Sequence, residues 1–469
     1  MKLRYSALAI PTLMVVFASC VGTKKYQQED LNLPVQFRQE LQVTSDSVQL
    51  PWKRFFRDEQ LIGLIEKALE KNNDIHVALK NMEQLDLAFK QAKLALLPTL
   101  DVAAGASRNY NSKNNLNAQM AQQFSGTSYS DDFNSSLRLT WEVDIWGKAR
   151  LQKQAAQAEY FAQGENLTVL KTRIIVQVAQ AYYNLVSLDE QLAIAQANIA
   201  LSKTTLEMMQ LQYEAGQITS LAVDQTEAQL KTAELLVPLI TQNIAIQETA
   251  LSLLCGAYST KIERTAALKD ILQEEVWTTG VPAQLISRRP DVKAAEYAVV
   301  ANHAKMGLAK VAMYPSISIS PQIGTNAVKF EDWFDLSNSL TKTLIGNLAA
   351  PIFQKKALRT AYQTALLEEE KTSIQFKQTV LTAVGEVSDE LAKYKAATER
   401  LVLMQQKTAS LEKASLDALK LYQSGMATYL EVILAQNNSL QNALDQSTTE
   451  MEKLNASVGL YRALGGGVE

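Results

Sequence analysis

Cysteine is almost absent from this chain of 469 residues. There are two, Cys20 and Cys255, so no disulfide framework is available. Histidine is equally scarce, at His76 and His303. Without a partner cysteine or an HExxH spacing, these two argue against a metal site, and no cofactor is expected. Glycine (18) and proline (10) are few, while Ala, Leu, Gln, Lys and Glu are plentiful, a composition for long helices. Neither charge sign dominates: 46 basic against 49 acidic residues leave −3, so no basic surface invites nucleic acid. No stretch approaches the roughly 18 consecutive apolar residues of a spanning helix. No catalytic constellation is present either. Gly465-Gly466-Gly467 does not lie between a strand and a helix, so it is no phosphate loop, and enzymatic activity is not expected. Cys255, in the apolar run Leu253-Leu254-Cys255-Gly256, reads as a buried inert thiol.

What is present is repetition. Asp74-Ile75 opens a helical run that ends at Lys93-Leu94-Ala95-Leu96-Leu97-Pro98, and Asp291-Val292 opens another that ends at Lys310-Val311-Ala312-Met313-Tyr314-Pro315, at an offset of 217 residues. Tyr213-Glu214-Ala215-Gly216 with Ser220-Leu221 then echoes Tyr422-Gln423-Ser424-Gly425 with Tyr429-Leu430, at an offset of 209. Shared order and spacing imply an internal duplication, a first repeat over 52–282 and a second over 283–469.

The first residues form an export signal. Lys2 and Arg4 precede the apolar run Ala7–Ala18, which is too short to span a bilayer. Residues 1–19 read as the removable segment and 20–51 as a polar linker. Without Lys2 and Arg4 the balance is 44 basic against 49 acidic residues, or −5. Such a chain can still enter a membrane as β-strands.

Helical spacing of Leu61, Leu64, Ile65, Ala68 and Leu69 predicts one short amphipathic helix over 52–71, and Asp74 is placed to cap the next. Pro98 and Pro315 end their helices, and the apolar period then changes from about 3.6 to 2. Strands are expected at about 99–110 and 132–144, and at about 315–325 and 339–350. The clearest alternation puts Phe133, Leu137, Leu139, Trp141 and Val143 on one face and Asn134, Arg138, Thr140, Glu142 and Asp144 on the other. About ten residues of such alternation match one transmembrane barrel strand, although a soluble amphipathic hairpin packed on a core reads the same way. Polar loops over 109–131 and 326–338 join the strands, the longer first loop lowering the offset from 217 to 207.

Each hairpin is followed by the longest helical tract of its half, the two helical hairpins covering about 148–255 and 355–464. Segment 256–282, read as an equatorial segment, completes the first repeat. Four strands per chain cannot close a barrel, since single-chain barrels begin at about eight strands, and open edges are not tolerated in lipid. The barrel would have to be shared, with eight strands from a dimer or twelve from a trimer.

Phe17-Ala18-Ser19-Cys20, with Phe17 where Leu is usual, resembles a bacterial lipobox, which implies cleavage before Cys20 and lipidation of its thiol. Four further stretches carry a wider resemblance: Trp141-Glu142-Val143-Asp144-Ile145-Trp146-Gly147-Lys148; Leu285-Ile286-Ser287-Arg288-Arg289-Pro290-Asp291-Val292; Tyr422-Gln423-Ser424-Gly425 with Tyr429-Leu430-Glu431-Val432; and Leu460-Tyr461-Arg462-Ala463-Leu464-Gly465-Gly466-Gly467. Across essentially the whole mature chain they resemble the TolC-like outer-membrane factors, and within them the NodT/OprM-type lipoproteins that serve RND efflux pumps. The resemblance implies a mainly α fold with a transmembrane β part: a homotrimer with a twelve-stranded β-barrel continued by a periplasmic α-helical barrel. It implies a passive exit duct in the outer membrane, anchored at Cys20, with a periplasmic membrane-fusion adaptor and an inner-membrane RND-type pump as partners.

The same resemblance assigns roles. Glu431 matches the first carboxylate of an aspartate ring at the periplasmic gate, and Leu434 stands where the second would be. Asp224 lies near the corresponding turn of the first half, and Tyr422 matches a gate tyrosine. Ala427 and Ala222 replace the polar latch, so a hydrophobic constriction at Leu434 is the alternative to an acidic gate. The turns with Gly216, Gln217, Gly425 and Met426 match adaptor contacts. Trp141, Asp144, Trp146 and Gly147 read as the structural bend between strand and helix. Two other uses stay open: the exit duct of a type I protein-secretion system, and a non-channel periplasmic coiled-coil adaptor or scaffold.

Overall fold

The structure, a computed structural model, describes residues 51–110, 112, 114–127, 129–264, 267–271 and 288–467. The export segment 1–19, Cys20, the linker to residue 50, part of segment 256–282 and Leu285-Ile286-Ser287 lie outside the described residues.

Three helices come first: α1 (Trp52–Phe55), α2 (Glu59–Lys71) and α3 (Asn73–Leu94). The single helix expected over 52–71 is broken by Asp58, whose carboxylate accepts the Gln60 and Leu61 N–H groups at 2.8 and 3.2 Å and starts α2 afresh. Asp74 is not a cap. Asn72 Oδ1 accepts the Asp74 N–H at 2.9 Å, leaving Asp74 in the first turn of α3, where its charge complements the helix dipole.

Strand β1 (Thr99–Asn109) follows, then α4 (Leu116–Ser125) and strand β2 (Ser130–Glu142). The expected polar loop thus contains a helix of 10 residues. Next come α5 (Lys148–Glu214), α6 (Ser220–Leu254) and the short α7 (Leu268–Ile271). The second half gives α8 (Pro290–Val311), β3 (Ser316–Ala327), β4 (Leu340–Ala349), α9 (Ala357–Gln423) and α10 (Tyr429–Ala463).

The two long helices have 67 residues each and their return helices 35 each. From Lys148 to Ala357 and from Ser220 to Tyr429 the offset is 209 throughout, not 207. The difference lies at Lys355 and Lys356, where φ of +50° and +65° keeps the chain out of the right-handed helix.

The described residues form two compact units, and both repeats contribute to each. One contains 83–161 and 297–374 and holds the sheet, antiparallel throughout in the order β1-β2-β3-β4. Leu137 pairs with Val102 on one side and Ile323 on the other, so the apolar alternation of three strands shares one face. In the same unit Leu151, Ala155, Ala304 and Val311 pack together with Trp146 and Tyr314. Strands β1 and β4 are the two edges, and every residue of β4 is exposed.

The other unit contains 51–82, 162–296 and 375–467, of which part lies outside the described residues. Its core gathers Phe56, Leu61, Ile65, Ile175, Leu185, Leu251 and Leu454 at 0–1 % exposure. Each contributes about 1.5–3 kcal/mol by leaving water. Tyr182 is buried among them and its hydroxyl donates to Asp58 at 2.6 Å. Burial and that carboxylate push the phenol well above its ordinary range. Cys255 is buried here too, and desolvation raises its thiol. No helix among the described residues is long and apolar enough to cross a membrane.

Candidate functional site

The helical hairpins turn by the same chemistry in both halves. Gly216 and Gly425 take φ of +72° and +74°, a conformation that glycine adopts without steric cost. The Gln217 and Gly216 N–H groups reach back to the Gln212 and Tyr213 carbonyls at 2.8 and 2.9 Å. Met426 and Gly425 do the same to Leu421 and Tyr422 at 2.8 and 3.0 Å. These pairs form a Schellman turn, which satisfies carbonyls that the helix end would leave orphaned. Gln217 and Met426 sit just past the turn, Met426 with 73 % of its surface exposed.

The return helices begin differently. Thr428 caps α10, and the Glu431 carboxylate accepts the Thr428 N–H at 2.7 Å. This is the acidic arm of a capping box. In the first half Thr219 holds the cap position and Ala222, equivalent to Glu431, is buried. Glu431 is therefore an exposed carboxylate fixed in direction by its own helix end. Asp224 lies further into α6, exposed, at a position that does not correspond to Glu431. Leu434 is 51 % exposed.

Cross-hairpin contacts bring the two repeats together near these turns. The Tyr422 hydroxyl bonds to Gln212 Oε1 and lies 3.2 Å from the Sδ of fully buried Met209. Burial raises its pKa. Tyr213, its counterpart in the first repeat, is 49 % exposed instead. Tyr429 bonds to Gln225, and Gln436 Nε2 donates to Thr205 Oγ1 at 3.1 Å. Gln212, Gln225 and Thr205 escaped sequence reasoning, because a polar residue on a long helix gives no sign of which distant helix it will meet.

At the strand–helix junction the four singled-out residues act together. The chain leaves β2 at Glu142, so Val143 and Asp144 lie beyond the strand. Asp144 instead accepts the Ala149 N–H at 2.9 Å and caps the start of α5. Gly147 takes φ of +76°. Trp141 Nε1 donates to the Leu96 carbonyl at 3.0 Å, and Trp146 Nε1 to the Pro315 carbonyl at 2.6 Å. Trp141 thus ties the outgoing chain to the segment just past α3, and Trp146 ties it to the equivalent segment just past α8 in the other repeat.

The Arg288-Arg289-Pro290-Asp291 stretch, for which the sequence offered a resemblance but no role, closes a buried network. The Arg289 side chain, 7 % exposed, grips Asp291 at 2.7 and 3.0 Å, Glu386 at 2.7 Å and the Ala463 carbonyl at 2.9 Å. Burial opposes its charge, but Asp291 and Glu386 outweigh burial and hold its proton more firmly than usual. Arg462 reaches the other Glu386 oxygen at 3.2 Å. A second cluster binds Arg264 to Asp189 and, at 2.6 Å, to Glu248. His303 pairs with Glu369 at 2.7 Å. Among the described residues no group of His, Cys, Asp and Glu is arranged to hold a metal ion.

A hairpin of strands leading into a pair of very long helices, built twice, defines a class: the TolC-like outer-membrane channels. A crystal structure of CusC, described in connection with transmembrane channel formation, superposes with a TM-score of 0.86 at 25 % identity over 95 % of this chain and 99 % of that one. The model of the outer membrane efflux protein family matches residues 64–257 and 281–466, and the chain belongs to that family. The toluene efflux pump outer membrane protein TtgF of Pseudomonas putida is 28 % identical over 421 residues, 89 % of this chain and 86 % of that one. The cation efflux system protein CusC of Escherichia coli is 25 % identical over 460 residues, 97 % of each chain. This chain is the outer-membrane channel component of an efflux system.

Proposed function

We propose that three copies of this chain close one barrel and one helical tunnel, giving a passive exit duct across periplasm and outer membrane for drugs or other small molecules. The observation that carries this reading is the sheet: four strands with two open edges, β1 and β4. Unpaired N–H and C=O groups at those edges are untenable in lipid. Joining β4 of one copy to β1 of the next satisfies them, and three copies contribute twelve strands. The duct does no chemistry. A periplasmic adaptor seats on the turns at Gly216–Gln217 and Gly425–Met426 and connects the duct to an inner-membrane RND-type pump. Cys20 carries the lipid anchor. The gate lies at the hairpin ends, with Glu431, Asp224, Tyr422 and Leu434 as its residues. Toluene and cations, the cargoes in the two relatives' names, differ so widely that the choice of cargo belongs to the pump rather than to the duct.

The test is biochemical and then physiological. The outer-membrane fraction should yield a detergent-requiring, heat-modifiable trimer, and a deletion strain should become hypersensitive to a defined set of small molecules. A monomer in the soluble periplasm would overturn the reading.

A further inference from the structure

The polar face of the sheet carries little charge beyond Asp101, Asp132, Arg138 and Glu142, and three of these have an opposite charge at hand. Asp101 stands directly across from Arg138 in the β1–β2 register. Glu142 is bound by Lys148 at 3.0 Å. Asp132 has no cation among the described residues. Its Oδ1 accepts from Asn326 Nδ2 at 2.6 Å and its Oδ2 from Asn134 Nδ2 at 2.9 Å. Asn134 in turn lies over Gly105, where an added Cβ would come within 3.3 Å of its amide oxygen. Two amides from two strands thus hold the carboxylate in place without neutralising it.

The adjacent residue makes the contrast. Strand alternation puts Asp131 on the apolar face. There Arg108 clasps it through two bonds of 2.6 and 2.7 Å and lies 3.9 Å above the Tyr129 ring. A lone charge against lipid is costly and is neutralised, whereas one facing water can stand alone. Among the described residues the other charges at this end belong elsewhere. Lys342 faces Ile323 on the apolar side. Lys329, Glu331, Asp332 and Asp335 lie in the β3–β4 loop, whose Phe330 and Trp333 rest against Phe133 of the apolar face at 5.7 and 5.4 Å.

We infer that Asp132 sets the ion preference of the outer mouth of the channel, its three copies forming a carboxylate ring on the water-filled face. The inference rests on the trimeric duct proposed above. A ring of fixed carboxylates concentrates cations and repels anions at a pore mouth. It would make the exit end cation-preferring whatever the hairpin gate does.

The full-length protein in planar bilayers under a potassium chloride gradient tests it. Wild-type channels give a cation-selective reversal potential. Asp132→Asn and Asp132→Ser move that potential toward zero, Asp132→Glu restores it, and Asp131→Asn leaves it unchanged. Heat-modifiable mobility shows that each variant assembles. Assembled neutral variants with the wild-type reversal potential would overturn the inference and leave the duct intact. A wild-type protein that forms no channel at all would instead overturn the duct.

Discussion

Gly147 and Lys356 occupy equivalent positions of the two repeats and hold the same left-handed backbone, at φ +76° and +65°. The carbonyl of each accepts the first i→i−4 hydrogen bond of its long helix, from the Leu151 N–H at 2.8 Å and from the Thr360 N–H at 2.9 Å. One fold device is therefore built twice, once with the residue suited to it and once with a residue that resists it.

Lys356→Gly is expected to stabilise the assembled protein by about 1 kcal/mol, the steric cost of a left-handed side-chain-bearing residue. Gly147→Ala is expected to lose about 1–2 kcal/mol, since the nearest atom to the new Cβ, Arg150 Nη2, is at an unstrained 3.5 Å. Denaturant midpoints of the two variants, moving in opposite directions, check this.

Arg289→Ala removes the hub that joins Asp291, Glu386 and the end of α10. The loss is expected to be about 2–3 kcal/mol, below that for a fully buried ion pair, because Asp291 and Glu386 keep 34 % and 28 % of their surface. Glu386→Gln, which keeps a hydrogen-bond acceptor, costs less. Loss of folded oligomer at raised temperature measures the order.

Glu431 has two roles that substitutions can separate. Glu431→Gln keeps an acceptor for the Thr428 N–H but removes the charge, and it should lower cation selectivity with little effect on the turn. Glu431→Ala also gives up the cap, worth about 1 kcal/mol, and should raise single-channel conductance as well. If neither variant changes selectivity or conductance, Glu431 is no part of the gate.

The two faces of β4 should differ sharply in tolerance. Leu344→Arg on the apolar face is expected to cost about 2–4 kcal/mol and to reduce the yield of membrane-assembled protein. Thr343→Arg, one residue away on the polar face, should assemble normally. Equal yields would mean that the apolar face does not meet lipid.

Much of this architecture was legible from local pattern. Pro98 and Pro315 marked the ends of two helices, since proline disfavours helix in the residue before it. The alternation around Phe133–Trp141 marked β2 because a strand exposes its faces with period two. The glycine turns announced themselves at an offset of 209. Short-range competition was harder to read. Asp74 looks like a cap, but Asn72 takes that role two residues earlier by accepting the Asp74 and Ile75 N–H groups, and Asp58 starts α2 afresh inside a run that reads as one helix. Lys355 and Lys356 read as helix and are not, because two left-handed residues in succession delay the turn into α9.

The sequence by itself determined the duplication, the period of each segment, the stopping points of the helices and the turns between them, since all of these depend on residues within a few positions of one another. Tertiary structure alone decided which polar side chains act together. Tyr422 meets Gln212 across 210 positions, Trp146 finds the Pro315 carbonyl across 169, and Asp132 draws Asn326 from 194 residues away. Each of these bonds depends on helix packing and strand register, which fix side-chain partners at the level of single ångströms. Local periodicity carries no such information.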